Sequence, residues 1–209
     1  MIIARDGLKF ILPGLVLALV FLALGWWPVF GLFLVLSGAL VFFFRDPERV
    51  PPAGDGRLVA PADGRVLAIE FPAARAGQAS PVTRLTIFLS LLDVHVTRAP
   101  VSGTVGAVDY RAGKFLPAYR PEAGEHNESC ALDIRGGPAD IYLRQIVGVA
   151  ARRIKCFVKP SDRVVRGQRI GLMYFGSRIE LDLPPGVELK ARLNEKIRAG
   201  ESVIAEVKT

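Results

Sequence analysis

Gly176-Ser177, inside Gly171-Leu-Met-Tyr-Phe-Gly-Ser-Arg-Ile-Glu-Leu-Asp-Leu-Pro184, is a pair with a chemistry of its own. A serine that follows glycine at the start of a strand-like run can attack the peptide bond before it. The chain then splits, and the serine can become a pyruvoyl group, a carbonyl cofactor made from the protein itself. Gly-Ser is also an ordinary turn dipeptide, and the pair alone does not choose between the two readings. A serine hydroxyl is a weak nucleophile until a positioned base takes its proton. The chain has two histidines, His95 and His126. His95 lies in the alternating stretch Asp93-Val-His-Val-Thr97, on a face with Asp93 and Thr97 and away from Val94 and Val96. Its imidazole can act as a base near neutral pH. The plain alternatives are a structural histidine at 95 and, in Pro61-Ala-Asp-Gly64, a turn aspartate at Asp63. Arg178 and Glu180 read as exposed strand residues, paired and worth little energetically.

The elements that must position these residues begin with an apolar N-terminus. No charged residue occurs from Phe10 to Phe44. As one helix that run would be roughly 50 Å long, against a hydrocarbon core of about 30 Å. Gly25-Trp26-Trp27-Pro28 sits near its middle and favours a break at the membrane interface. The expectation is a two-helix hairpin, about Phe10 to Leu24 and Val29 to Phe44, spanning or re-entrant. Arg5 and Lys9 precede it, and Arg45 and Arg49 follow it, which puts both ends on the cytoplasmic side of a cell membrane. A cleaved signal peptide would need a small-residue site, and Phe44-Arg-Asp-Pro47 is a poor one. The chain therefore divides into a membrane anchor over 1–45, a Pro/Gly-rich linker over 46–57 and a β-rich domain over 58–209.

In that domain short Val/Ile/Leu-rich runs alternate with turn residues. Strands are expected at Arg65–Phe71, Arg84–Leu89, Val94–Arg98, Thr104–Tyr110, Ala131–Ile134, Ile141–Val147, Val164–Ile170, Ile179–Leu183 and Ser202–Val207. Ala150–Phe157 fits a helical turn or a strand equally. The fold class is mainly β, a sandwich- or barrel-like domain with lipoyl-like β elements, preceded by an α-helical hairpin. Ala60-Pro-Ala-Asp-Gly-Arg-Val66 and Ala99-Pro-Val-Ser-Gly-Thr-Val105 share one pattern. Lys159 to Gly171 has the rhythm of lipoyl-type sandwiches, but no lysine sits at a carrier hairpin tip, which argues against a carrier function. The net charge of +7, beside a membrane anchor, suits an anionic membrane surface. There is no aromatic-basic module for nucleic acid and no zinc-finger spacing. Cys130 and Cys156 fit reduced thiols better than a disulfide framework or a metal site, and no metal is expected.

Four segments in order carry a resemblance: Phe44-Arg-Asp-Pro-Glu-Arg49, Ala60-Pro-Ala-Asp-Gly64, Phe88-Leu-Ser-Leu-Leu-Asp-Val-His-Val-Thr-Arg-Ala-Pro100 and Phe175-Gly-Ser-Arg-Ile-Glu180. Together they resemble the short, membrane-associated form of the phosphatidylserine decarboxylases. The resemblance implies a proenzyme that cuts itself between Gly176 and Ser177 into a β chain, 1–176, and an α chain, 177–209. It implies a self-cleavage triad of Asp63, His95 and Ser177, with Asp63 fixing the imidazole tautomer. It implies a pyruvoyl (pyruvate-derived) cofactor at Ser177 that forms a Schiff base with phosphatidylserine in the bilayer, releasing carbon dioxide and phosphatidylethanolamine. Longer members carry a second histidine three positions before His95; here that position is Leu92, so the proton donor for decarboxylation is left open among His95, Asp93 and water. His126-Asn-Glu-Ser129 reads as a loop near the headgroup, with Asn127 and Glu128 as polar contacts, or as a plain polar turn. The resemblance leaves open whether a homo-oligomer completes the pocket. Other readings are a decarboxylase of another serine-headgroup lipid and a membrane-anchored β-sandwich adaptor. The adaptor lacks the expected coiled-coil heptads. A serine hydrolase lacks its G-x-S-x-G elbow.

Overall fold

The computed structural model describes residues 2–73, 80–149, 153–174 and 177–207. The chain forms two compact units, 1–48 and 49–209.

The first unit is a helical hairpin. β1 (Ile2–Ile3) pairs with β2 (Arg45–Asp46) and closes its base, and between them run α1 (Arg5–Ala23) and α2 (Trp27–Phe43). α1 has 19 residues and α2 has 17, about 28 Å and 26 Å of helix. By length and composition α1 is apolar enough to cross a membrane, with mean hydropathy 2.0 over its best window. Gly25, at φ 74°, makes the reversal that a side chain would strain. Pro28 falls in the first turn of α2, where its missing N–H is no loss. Small residues let the helices approach: a Cβ on Gly14 would lie 2.5 Å from Ser37 Oγ. Phe21 stacks on Phe33, with centroids 5.6 Å apart. α2 and the end of α1 fall within two residues of where the charge-free run and its Gly-Trp-Trp-Pro break place them, but α1 starts at Arg5, five residues before the expected Phe10, so the helix takes in the charged flank Arg5, Asp6 and Lys9.

The second unit contains β3 (Arg57–Val59), β4 (Gly64–Ala73), β5 (Val82–Leu89), β6 (Val96–Arg98), β7 (Gly103–Arg111), α3 (Ala123–His126), β8 (Ser129–Arg135), β9 (Ile141–Val147), β10 (Ile154–Cys156), β11 (Arg163–Val164), β12 (Arg169–Met173), β13 (Ser177–Leu183), β14 (Val187–Leu189), β15 (Lys196–Ile197) and β16 (Val203–Val207). Among the described residues they build an eight-stranded antiparallel sheet ordered β11-β7-β8-β9-β13-β5-β4-β15, with three-stranded sheets β10-β12-β6 and β14-β16-β3. The mainly β architecture behind apolar N-terminal helices is the one the strand-and-turn rhythm predicts. The core gathers Leu85, Ile87 and Leu89 of β5, Ile141 and Leu143 of β9, and Ile179, Leu181 and Leu183 of β13. Ile170 and Met173 of β12 join it, as the period-2 alternation of each strand requires.

The expected strand Val164–Ile170 is broken. β11 ends at Val164 and β12 begins at Arg169, because Gly167 turns the chain at φ 82° and Gln168 N–H donates to Val165 O at 2.9 Å. The strand expected from Val94 starts at Val96 instead, because Met173 N–H donates to His95 O and ladder pairing begins only at Val96–Leu172. In the undecided stretch, Ile154–Cys156 is strand, and 150–152 lies outside the described residues.

Candidate functional site

Ser177 opens β13, the strand at the middle of the large sheet. It pairs with Leu89 of β5 on one side and Val147 of β9 on the other. Directly paired residues share a face, so Ser177 points to the core side with Leu89, Val147 and Ile179. It is fully buried, and its Oγ has no hydrogen-bond partner among the described residues. A buried hydroxyl in that state carries a desolvation cost and calls for an explanation. Gly176, the other half of the cleavage pair, lies outside the described residues.

The row through Ser177 continues in both directions. Beyond Leu89 the β4–β5 register, Arg65 with Phe88, carries on to Gly64, which follows Asp63. A Cβ on Gly64 would run into Phe88 O, so glycine alone permits this approach. Beyond Val147 the β8–β9 register carries on to Glu128, whose carbonyl accepts from Val147 N–H at 3.1 Å. Asp63 and Glu128 therefore sit at the same end of the sheet as Ser177, each about two strand spacings, or roughly 10 Å, away along the sheet.

His95 reaches that end by the second sheet. Its carbonyl accepts from Met173 N–H at 3.1 Å, four residues before Ser177, and the next residue, Val96, pairs with Leu172. The ring is fully buried, and its Nδ1 lies 2.9 Å from Asp93 O. A carbonyl only accepts, so Nδ1 carries the proton and Nε2 is the basic nitrogen of the neutral ring. The tautomer is thus held by the Asp93 backbone. Asp93 itself closes the turn below the histidine, its Oδ2 accepting from Ser90 N at 2.9 Å and Ser90 Oγ at 2.6 Å.

Asp63 is buried in the turn before β4. Oδ1 accepts from Ala199 N–H at 2.8 Å, and Oδ2 accepts from Arg49 Nη2 at 2.9 Å. Arg49 Nη1 reaches Glu201 at 2.8 Å, so one guanidinium joins two carboxylates. Pro61 O accepts from Arg98 N–H at 2.8 Å, which ties this turn to the strand that follows His95.

The two polar residues of His126–Ser129 separate sharply. Asn127 is a clamp: its Nδ2 donates to Leu116 O at 2.8 Å and Val147 O at 2.7 Å, and its Oδ1 accepts from Leu116 N–H at 2.9 Å. Its amide is fully used in fixing the 112–127 loop to β9. Glu128 is buried on the Ser177 face with Oε1 unpartnered among the described residues. Its carboxylate also meets Tyr110, whose phenol is pushed up by burial first and by that hydrogen bond second. His126 is exposed at the end of α3.

Gln145 is the residue that sequence reasoning overlooked. It is buried next to Ser177 on the same face, paired with Ile179, and its Nε2 has no partner among the described residues. Room for it comes from Gly171, where a Cβ would stand 3.0 Å from Gln145 Oε1. Its signal was readable: Gln145 interrupts the inward series Ile141, Leu143, Val147. Cys130 lies on this face too, paired with Gln145. Cys130 and Cys156 are free thiols brought together by β8 and β10, and the Cys130 hydrogen bond is the main cause that pulls the Cys156 thiol down to about 6.

Arg178 and Glu180 point to the opposite face, and there the expectation of exposure fails. Both are buried, because the 117–126 segment covers that side of β13. Arg178 Nη2 meets Glu180 Oε1 at 2.8 Å, Arg144 meets Glu180 Oε2 at 3.1 Å, and Arg178 Nη1 donates to Arg120 O at 3.1 Å. A cavity of about 480 Å³ beside them is lined by Arg84, Thr86, Tyr119, Arg144, Arg178 and Glu180. Strand alternation puts it on the other side of the sheet from Ser177.

The comparisons with known proteins agree with one another. Residues 36–205 match the phosphatidylserine decarboxylase family. The chain is 42% identical to the phosphatidylserine decarboxylase proenzyme of Cereibacter sphaeroides, covering 97% of this chain and 89% of that one. It is 40% identical to the proenzyme so named from Syntrophus aciditrophicus, over 96% and 95% of the two chains. It is 35% identical to the one from Desulfotalea psychrophila, over 98% and 96%. With a match across most of its length and relatives of its own size, the chain belongs to the phosphatidylserine decarboxylase family, a family of carboxy-lyases.

Proposed function

We propose that this chain is a self-processing phosphatidylserine decarboxylase whose cofactor is generated from Ser177. The observation that carries the reading is the buried, unpartnered Ser177 Oγ at the head of a central strand, on one face with two further orphaned polar groups, Glu128 Oε1 and Gln145 Nε2. His95 Nε2 takes the Ser177 proton. Oγ attacks the Gly176 carbonyl, and the amide becomes an ester. Gln145 Nε2 donates to the oxygen on which charge develops. β-Elimination across Ser177 releases the Gly176 carboxylate and leaves a dehydroalanine end, and water then replaces its nitrogen, giving ammonia and the pyruvoyl group. Asp63 supplies negative charge that favours the imidazolium formed on the way. Buried polar atoms with no other partner suit a small carbonyl group there, and the pyruvoyl carbonyl supplies the electron sink for loss of carbon dioxide.

Glu128 receives the serine ammonium of the headgroup and takes the proton it must lose before the amine can react, and His95 returns a proton once carbon dioxide has left. Asn127 is a positioning residue that sets the loop carrying Glu128. The hairpin over 1–45 anchors the enzyme in the cell membrane, with the catalytic unit over 58–209 on the cytoplasmic face, where the basic flanks place both hairpin ends. A lipid of two acyl chains stays in the bilayer, so the enzyme must work at its surface.

Intact-mass analysis of active protein should show two chains, 1–176 and 177–209, the smaller without a free amine and reactive to hydrazine. Ser177→Ala should stay as one chain and release no carbon dioxide from serine-labelled phosphatidylserine. A single uncut chain in fully active protein would overturn the reading.

A further inference from the structure

The sheet end that carries Ser177 ends in apolar tips. β5, one neighbour of Ser177's strand, runs into the tight turn Ser90–Asp93, closed by Asp93 N–H donating to Ser90 O at 3.0 Å and braced by the Asp93 carboxylate. The two central residues of that turn are Leu91 and Leu92, 53% and 71% exposed. Turn centres ordinarily carry Gly, Asn, Asp, Ser or Pro. Here a rigid turn holds two leucines outward. β9, the other neighbour, runs on to Val149, 56% exposed. The loop that Asn127 clamps to Val147 brings exposed Phe115 to the same end.

Charge follows the same edge. Lys114 is exposed next to Phe115, and its backbone exchanges hydrogen bonds with His126 and Glu128. Arg153 is exposed where its carbonyl accepts from Tyr174 N–H at 3.3 Å, three residues before Ser177. Apolar tips interleaved with cations match the headgroup–acyl boundary of an anionic bilayer.

We propose that this end of the catalytic unit is a lipid-docking rim in its own right. Leu91, Leu92, Val149 and Phe115 enter the interface of an anionic phospholipid bilayer, and Lys114 and Arg153 lie at its phosphates. Ser177 then meets a headgroup while the acyl chains stay in the membrane. The proposal rests on the phosphatidylserine reading and adds how the lipid is presented.

The test uses the full chain with Cys130 and Cys156 replaced by alanine, reconstituted in vesicles of phosphatidylglycerol and phosphatidylcholine in equal amounts. An environment-sensitive nitrobenzoxadiazole label is placed at Leu92→Cys and, as the control, at Pro138→Cys in the β8–β9 turn at the far end of the sheet. The label at 92 should shift to the blue and be quenched by lipids with brominated acyl chains, and the label at 138 should do neither. Equal behaviour at both positions overturns the proposal. So does shielding at 92 that grows with protein density without lipid quenching, which would assign the tips to a second copy of the chain. In the otherwise native chain, Leu91→Asp with Val149→Asp should still cut itself into two chains, which reports folding. Its KM on phosphatidylserine vesicles should rise on the order of tenfold, with kcat and turnover of monomeric short-chain phosphatidylserine within about twofold. An equal loss on both substrates overturns the rim. Failure of the native chain to release carbon dioxide from either substrate would instead overturn the decarboxylase reading, and the quenching result would still decide the rim.

Discussion

The turn Ala60–Val66 and the turn Ala99–Val105 are two copies of one local design that end differently. Val59 N–H donates to Pro100 O at 3.0 Å and Arg98 N–H to Pro61 O at 2.8 Å, so the copies face each other almost reciprocally. Each is capped by a matching segment. Gly200 N–H donates to Ala60 O, and Gly167 N–H donates to Ala99 O, both at 2.8 Å. Each cap also has a non-glycine residue in the left-handed region six positions earlier, Asn194 at φ 66° and Ser161 at φ 72°. At the fourth position of the turn the copies diverge. Ser102 Oγ accepts from Arg166 N–H at 3.0 Å, and Asp63 Oδ1 accepts from the equivalent Ala199 N–H at 2.8 Å. The hydroxyl does everything the turn needs. The second carboxylate oxygen of Asp63 pairs with Arg49 at 2.9 Å, a bond that the serine copy of the turn does without. That charge, at the sheet end of Ser177, is what the proposed chemistry uses.

The largest effect expected from this contrast comes from Asp63→Ser, which writes the second turn into the first. It should fold with a stability loss of about 1–2 kcal/mol, since Arg49 keeps only its bond to Glu201, and yet cut itself at least about a hundredfold more slowly, as a time course of two-chain product would show. Cleavage at the native rate would mean the charge is idle. Asp63→Ala should be equally slow and lose about 1–2 kcal/mol more, because Ala199 N–H loses its acceptor. Next comes Arg49→Met, which strands a buried carboxylate and should cost about 3 kcal/mol in urea unfolding; Ser102→Ala, in the exposed copy, should cost about 1 kcal/mol at most. Alanine at either cap glycine should cost about 1–2 kcal/mol for a left-handed residue. Gly167→Ala should be the worse of the two, since its Cβ would run into Pro51 Cγ, while Gly200 would meet the flexible Arg98 Cδ at 3.1 Å. The smallest effect is Ser102→Asp in the Asp63→Ser background. It should leave thermal stability almost unchanged and fail to restore cleavage, which would separate where the carboxylate sits from how the turn is made.

Much of this was open to reading along the chain. The hairpin was legible because a charge-free run broken by Gly-Trp-Trp-Pro has few other solutions. Most strands were legible because their inward faces alternate. Where one residue between strands reversed the chain, as Gly167 does, the run Val164–Ile170 looked continuous and was not. Asp63 was readable as a turn aspartate or a charged partner, and the structure gives it both kinds of bond. Arg178 and Glu180 looked exposed because alternation reports which residues share a face and says nothing of what covers the outer one. Asn127 and Glu128, adjacent in sequence, looked interchangeable until strand pairing turned one into a clamp and left the other with an open oxygen.

Local order along the chain determined the apolar hairpin, the strand-and-turn rhythm and the family to which the ordered motifs belong, since these depend on periodicity and on residues close in sequence. Only the tertiary structure decided that Ser177, Glu128 and Gln145 share one buried face, that the Asp93 carbonyl holds the His95 tautomer, and that Cys130 meets Cys156. Those facts depend on strand register across long sequence separations, where a slip of one residue would turn every side chain to the other side of the sheet.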